Sequence, residues 1–382
     1  MEKNQKIVVI IAAVAIAAIV ACAAIYANNG DDKPTIDAAV TSIGSYENLY
    51  LDISIKDFKK IGATIGDDIR VECGDESFTA ILCYDFNGIP SYEAFITFTE
   101  GQCCLGYFNC YTLESTDIDV GDVITLSREG RNPYVDKMPN YINGYSEILD
   151  DYDSIEDFCN FRALSGGNLV SDSIYRSASP WSSGARTAYT DDLYRTYEID
   201  YLMCLNMDDE RAKHFAEGSP DAYVSQMYNE GKVLCRELHP STHSYPEECK
   251  FFIESFLEAE GKIGIFCSLG KDRTGVYCGI LEGLAGATYD EVRDDFMLTI
   301  CNYYGVERGS DEYYVVAEIL IDRILYLFEH TEYAAHPEKV DWSKVEYVKY
   351  NPEEVFTKYL VDFVGMENET VQKVKDKLTG NI

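Results

Sequence analysis

One stretch constrains this chain more than any other: IFCSLGKDRTGVYCG, Ile265 to Gly279. A cysteine ends a run of strand-forming residues, five residues follow, and an arginine opens a helix-forming run. Such a turn wraps its backbone amides into one concave nest at a helix N-terminus, and a nest of that kind binds an anion. The same nest and the helix dipole favour a thiolate at Cys267, the form in which cysteine is a nucleophile. Gly270 lets the backbone turn and approach a ligand closely. Ser268, Leu269, Lys271 and Gly275 complete the cradle, and Thr274 is placed to donate its hydroxyl to the thiolate. Arg273 can hold two oxygens of a tetrahedral dianion bidentately. A cysteine and an arginine at this spacing say little alone, because buried cysteines are commonly inert core residues. The strand, the glycine, GKDRTG and the helix together make the reading specific.

At 382 residues the chain predicts two domains plus its ends. From Ile36 to Arg131, runs such as DDIRVEC, SFTAILCYDF and GDVITLS alternate apolar and polar residues between Gly, Asp and Asn turns. That pattern predicts a small all-β barrel or sandwich over residues 35–135. Around Asn132 to Asp151 the pattern lapses into Pro, Asn, Gly and Tyr, marking a junction. Over 150–382, EIDYLMCLNM and KIGIFC read as buried strands, and CKFFIESFLEAEG and RTGVYCGILEGLAG as helices. The alternation predicts an α/β domain, a central sheet with helices on both faces. Beyond Asp311 the apolar spacing is mostly helical.

Residues 1–34 read differently. Lys3 and Lys6 precede an unbroken apolar run from Ile7 to Ala27, long enough to cross a bilayer as an N-terminal transmembrane helix. The flanking charges place the remainder outside the cytoplasm. IVAC ending at Cys22 also resembles a lipoprotein signal, so anchor and lipidation both stand. The formal net charge of −34 excludes a nucleic-acid backbone as the main partner, and any attraction for an anion must be local. The thirteen cysteines are an odd number with no compact framework, and no CxxC pair supports zinc. His239 and His243 lack ligand partners at useful spacing, so no metal is expected.

The loop resembles that of the protein tyrosine phosphatase superfamily, and more narrowly the bacterial and archaeal tyrosine/lipid phosphatase group whose loop reads Cys-x-x-Gly-Lys-Asp-Arg-Thr-Gly. NFRALSGG (Asn160 to Gly167) resembles that group's Asn-Phe-Arg-Asp-Leu-Gly-Gly opening, and SIYRSASP (Ser173 to Pro180) its Leu-Tyr-Arg-Ser-Gly segment. DDFMLTICNYYG and YLVDFVGMENETVQKVKDKL extend the likeness, which runs from about Asp153 to Leu378. The resemblance implies hydrolysis of phosphomonoesters in two steps without a cofactor: Cys267 attacks phosphorus, an acid protonates the leaving oxygen, and water hydrolyses the cysteinyl phosphate. Lys271 would add charge suited to multiply phosphorylated or lipid headgroup substrates, or would be a solvated loop lysine.

Three positions depart from the group. Phe266 stands where it has His, Ala163 where its opening motif has Asp, and Cys204, Leu205 and Asn206 where it has Asp-Leu-Arg. The acid expected at Cys204 is therefore missing, leaving Asp272 in the loop, or Asp208 and Asp209 just past a strand end, as candidates. Asp208 and Asp209 could equally cap a helix. Cys278 and Cys301 read as packed thiols, either of which could pair with Cys267 on oxidation. The expected substrate is a phosphorylated protein or a lipid headgroup. The rival is a pseudophosphatase that binds a phosphorylated ligand with little turnover.

Overall fold

In the computed structural model the described residues are 33–44, 47–83, 89–99, 101–108, 116–182, 184–239, 245–334 and 336–381. The apolar run Ile7–Ala27 and its Cys22 lie outside them. Among the described residues no helix is long and apolar enough to cross a membrane.

Strands β1 (Thr35–Ile43), β2 (Leu49–Leu51), β3 (Asp67–Cys73), β4 (Glu76–Leu82), β5 (Ala94–Thr99), β6 (Gln102–Tyr107) and β7 (Val123–Arg131) close into a barrel in the order β1-β2-β6-β5-β4-β3-β7. In β3 the period of two is plain: Ile69 and Val71 are buried inside, and Arg70 and Glu72 point outward. Strands β4 to β6 break the alternation, and the structure gives the reason. Their alternate residues Ala80, Leu82, Ala94, Ile96, Cys103 and Leu105 fill the barrel. The intervening Ile81, Phe95 and Cys104 join the core of the second unit. A strand buried on both faces reads as a continuous apolar run.

The second unit is a sheet of β8 (Arg162–Ala163), β9 (Ile174–Ser177), β10 (Tyr201–Cys204), β11 (Val233–Cys235) and β12 (Ile263–Phe266), ordered β11-β10-β12-β9-β8. All its pairings are parallel except β8 with β9. Along β10 and β12, Leu202, Cys204 and Phe266 turn to one face, against helices α1 (Thr187–Thr196), α2 (Asp209–Gly218) and α3 (Tyr223–Asn229). Met203, Ile263 and Ile265 turn to the other, against α4 (Pro246–Glu258), α5 (Asp272–Leu284) and α6 (Tyr289–Tyr304). Burial on both faces makes β12 the central strand, and the functional loop leaves its carboxyl end. Helices α7 (Asp311–Ala317) and α8 (Arg323–Glu329) are joined by a π turn at Glu318–Asp322. After a stretch of 3₁₀ turns come α9 (Pro352–Lys358) and α10 (Asn368–Thr379).

The two units are packed together. Arg323 on α8 is buried, pairs with Glu93 at 2.8 Å and donates to the Ser91 carbonyl at 3.0 Å. The Ser91 amide donates to Ile319, and Tyr92 stacks on Trp342. The segment that reads as a junction is anchored as well. Met138 and Tyr141 are fully buried, and the Glu312 carboxylate accepts from the amides of Asn140 (2.8 Å) and Tyr141 (2.9 Å).

Candidate active site

The loop from Cys267 to Lys271 is fixed from outside through its carbonyls. The Ser268 carbonyl accepts from the Ser179 amide at 3.1 Å. The Leu269 carbonyl accepts from the Tyr303 hydroxyl at 3.0 Å and from Asn160 Nδ2 at 3.3 Å. The Gly270 carbonyl accepts from the same Asn160 Nδ2 at 2.9 Å and from Arg176 at 2.8 Å. In a trans peptide the carbonyl and the following N–H point opposite ways. Tying these carbonyls outward therefore turns the amides of Leu269, Gly270 and Lys271 to the concave side, which makes an anion nest. Gly270 has φ 67°, and a Cβ there would collide with the Ser177 carbonyl, so only glycine fits.

The side chains that tie the loop carbonyls have their own support. Arg176, fully buried, and Arg162 both pair with Asp295 of α6, Arg162 at 2.9 Å. Burial alone would raise the Asp295 carboxyl; the two guanidinium groups outweigh it and hold it below the usual carboxylate range. The Thr299 hydroxyl donates to Asn160 Oδ1 at 3.1 Å, which orients the amide. Sequence reasoning assigned no role to Asn160, Arg176 or Tyr303. The signal available was a polar side chain inside an otherwise buried run, in NFRALSGG, SIYRSASP and CNYYG.

Cys267 opens the loop with 5% of its surface exposed, and Asp272, Arg273, Thr274 and Gly275 form the first turn of α5. Gly275 admits the Phe296 ring, which a Cβ would meet at 2.6 Å. The Thr274 hydroxyl is buried with no hydrogen-bond partner, so the expected bond to the Cys267 thiol is not formed. Lys271 is not a solvated loop lysine. It is 5% exposed, with its ammonium 3.1 Å from Asp272 Oδ1 and 5.7 and 5.9 Å from the ring centres of Phe108 and Tyr141. Burial works against its charge, but Asp272 beside it keeps it protonated, well above the ordinary lysine value. The Asp272 side chain is 29% exposed.

The other two carboxylates have different partners. Asp208 is the N-cap of α2, its side chain accepting from the Arg211 amide at 2.9 Å. Asp209 accepts from the Tyr228 hydroxyl at 2.8 Å, and burial together with that carboxylate pushes the phenol up to about 12. From the same strand end, Asn206 reaches the loop, donating to Ser268 Oγ at 3.2 Å. Cys204 is buried, with its thiol on Asn206 Oδ1 and Cys235 beside it in register. Phe266 packs between Trp181 and Tyr194, an apolar setting that suits phenylalanine rather than histidine.

His239 serves the fold, donating its amide to Glu248 Oε2 and placing its ring 2.6 Å from Oε1; His243 lies outside the described residues. Among the described residues no group of metal-ligating side chains is present, and the cysteines are free thiols. Burial pushes the Cys278 and Cys301 thiols up.

An open α/β sheet whose central strand ends in an amide cradle, with a cysteine at its mouth and an arginine on the following helix, defines the class of loop phosphatases. The match to the tyrosine phosphatase family covers residues 154–380, and the chain belongs to that family; a seven-stranded barrel precedes the matched region. No curated protein matches the chain. Among solved structures it is similar to an uncharacterized conserved protein from Thermotoga maritima, at 18% identity and TM-score 0.24, covering 25% of this chain and 37% of that one. It is also similar to the core catalytic domain of the PP-IP phosphatase SIW14 from S. cerevisiae in complex with citrate, at 17% identity and TM-score 0.25, covering 41% of this chain and 83% of that one.

Proposed function

We propose that the protein hydrolyses phosphomonoesters through a cysteinyl-phosphate intermediate. The loop amides and Arg273 hold the phosphoryl oxygens while the Cys267 thiolate attacks phosphorus. As the bond to the leaving oxygen breaks, Asp272 gives that oxygen its proton. Water then attacks phosphorus, Asp272 takes the proton back, the P–S bond breaks, and inorganic phosphate leaves. The observation that carries this reading is the tying of the Ser268, Leu269 and Gly270 carbonyls by residues outside the loop, which turns the amides that follow them to its concave side. Asp272 is preferred as the acid because it adjoins the loop that begins at Cys267 and is partly exposed, with its Oδ1 on Lys271, whereas Asp208 caps a helix and Asp209 accepts from Tyr228 outside that loop.

The substrate class is a phosphotyrosine, a phosphoserine or phosphothreonine, or a phosphoinositide-like headgroup. The apolar run Ile7–Ala27 behind Lys3 and Lys6 supports an anchor that holds the catalytic unit at the outer membrane surface. Resistance of the native protein to alkaline extraction tests the anchor, and its mass tests lipidation of Cys22.

The catalytic reading is tested with an aryl phosphate. Cys267→Ser is expected to abolish turnover, and acid quench of the unmodified enzyme to trap phosphate on Cys267. Turnover surviving the substitution removes the assignment. Tight binding of a phosphopeptide by the unmodified chain without turnover would favour a phospho-ligand module, the reading to which the Cys204 and Phe266 departures point.

A further inference from the structure

Phe108 belongs to the barrel unit and Tyr141 to the segment between units, yet both rings face the ammonium of Lys271 in the phosphate loop. Neither ring is placed by chance. The Phe108 amide donates to the Glu93 carbonyl and its carbonyl accepts from the Tyr92 amide, while Glu93 is held by Arg323. Tyr141 is held through its amide by Glu312, and its ring meets Tyr304 edge-on at 4.8 Å. A cation over an aromatic face within about 6 Å is attracted to it, more strongly when desolvated, and Lys271 is buried. The ammonium is thus held near two rings and bonds to Asp272 Oδ1. The Asp272 side chain itself keeps 29% exposure.

We propose that Phe108 and Tyr141 are positioning residues for the acid: they fix Lys271, Lys271 orients Asp272, and the barrel is thereby part of the phosphatase site rather than an independent module. The proposal rests on the reading of Asp272 as the acid. Proton donation matters most when the leaving oxygen is basic and little when it is a good leaving group. Loss of orientation therefore steepens the dependence of kcat/KM on leaving-group pKa, whereas a general loss of folding lowers every substrate alike.

The test compares phenyl phosphate with 2,4-dinitrophenyl phosphate and intermediates between them, using the full chain. Asp272→Asn is expected to lose about a hundredfold with phenyl phosphate and little with the dinitrophenyl ester. Phe108→Leu, which keeps bulk but not the ring face, should lose several-fold to tenfold with phenyl phosphate only, and Phe108→Tyr should restore the original slope. Tyr141→Leu is read the same way and keeps the test standing should Phe108→Leu not fold. Original slopes in both leucine variants, or equal losses across all esters, overturn the positioning role if Asp272→Asn is steep. If Asp272→Asn itself keeps the original slope, the assignment of the acid has failed instead.

Discussion

Gly270 carries a left-handed backbone against the Ser177 carbonyl, so Gly270→Ala meets both a φ strain of roughly 1–2 kcal/mol and a steric collision. The expected outcome is at least about a tenfold fall in kcat/KM, because the amides on either side of the turn leave their aim. Glu282, within α5, presents a different kind of strain. Burial above all, and then the Asp295 charge, raise its carboxyl well above the ordinary value, against the pull of Arg176 and Arg162; its Oε2 has no partner. The folded chain holds this proton where the unfolded chain has released it, so the contribution of this group to stability is full below about pH 4.3. Above that it falls by up to ~1.4 kcal/mol per pH unit until the folded pKa is passed. Glu282→Gln lacks this slope. In urea melts its stability relative to the parent should therefore grow from pH 5 to pH 8, and an unchanged difference would mean that the carboxyl is not protonated in the folded state.

At the scale of elements, one carboxylate ties α6 to β8 and β9. Asp295 faces Arg162 and Arg176, and Arg176 in turn grips the Gly270 carbonyl, so the helix, the sheet edge and the loop share one set of charges. Asp295→Asn leaves two buried guanidinium groups uncompensated. Breaking a buried pair in this way costs roughly 3–5 kcal/mol, and the urea midpoint should fall accordingly, with catalysis lost before the fold. Much at this scale is legible in sequence. The strand before Cys267 and the helix after Arg273 follow from apolar runs bounded by glycine and polar residues. The pairing of Asn160 and Arg176 with carbonyls more than ninety positions away is not. A pattern of polarity shows that a residue is out of place but not what it meets.

The molecule as a whole is held across its two units by Arg323, which is buried against Glu93 and the Ser91 carbonyl. Arg323→Ala removes both bonds. Because Glu93 keeps 31% exposure, water recovers part of the loss, and the expected cost is at the low end of the buried-pair range, about 3 kcal/mol. Unfolding followed by both far-ultraviolet circular dichroism and tyrosine fluorescence should separate into two transitions in the variant and coincide in the parent. The barrel was legible as a β unit from the period of two in β3. The loss of that period in β4 to β6 was the trace of a second covered face, which local patterning alone does not distinguish from any buried strand.

What the sequence by itself determined is one local pattern: a cysteine, a glycine and an arginine at fixed spacing between strand and helix, because neighbours along the chain dictate where a strand ends, a turn falls and a helix begins. What only the tertiary structure decided is which groups support that point. Asp208 and Asp209 are near the strand end in sequence but spend their oxygens on a helix cap and a phenol, whereas Phe108 and Tyr141 are remote in sequence and reach the loop lysine. The physical reason is that hydrogen bonds and burial act over a few ångströms of space, and only the packing of barrel against sheet fixes which residues share them.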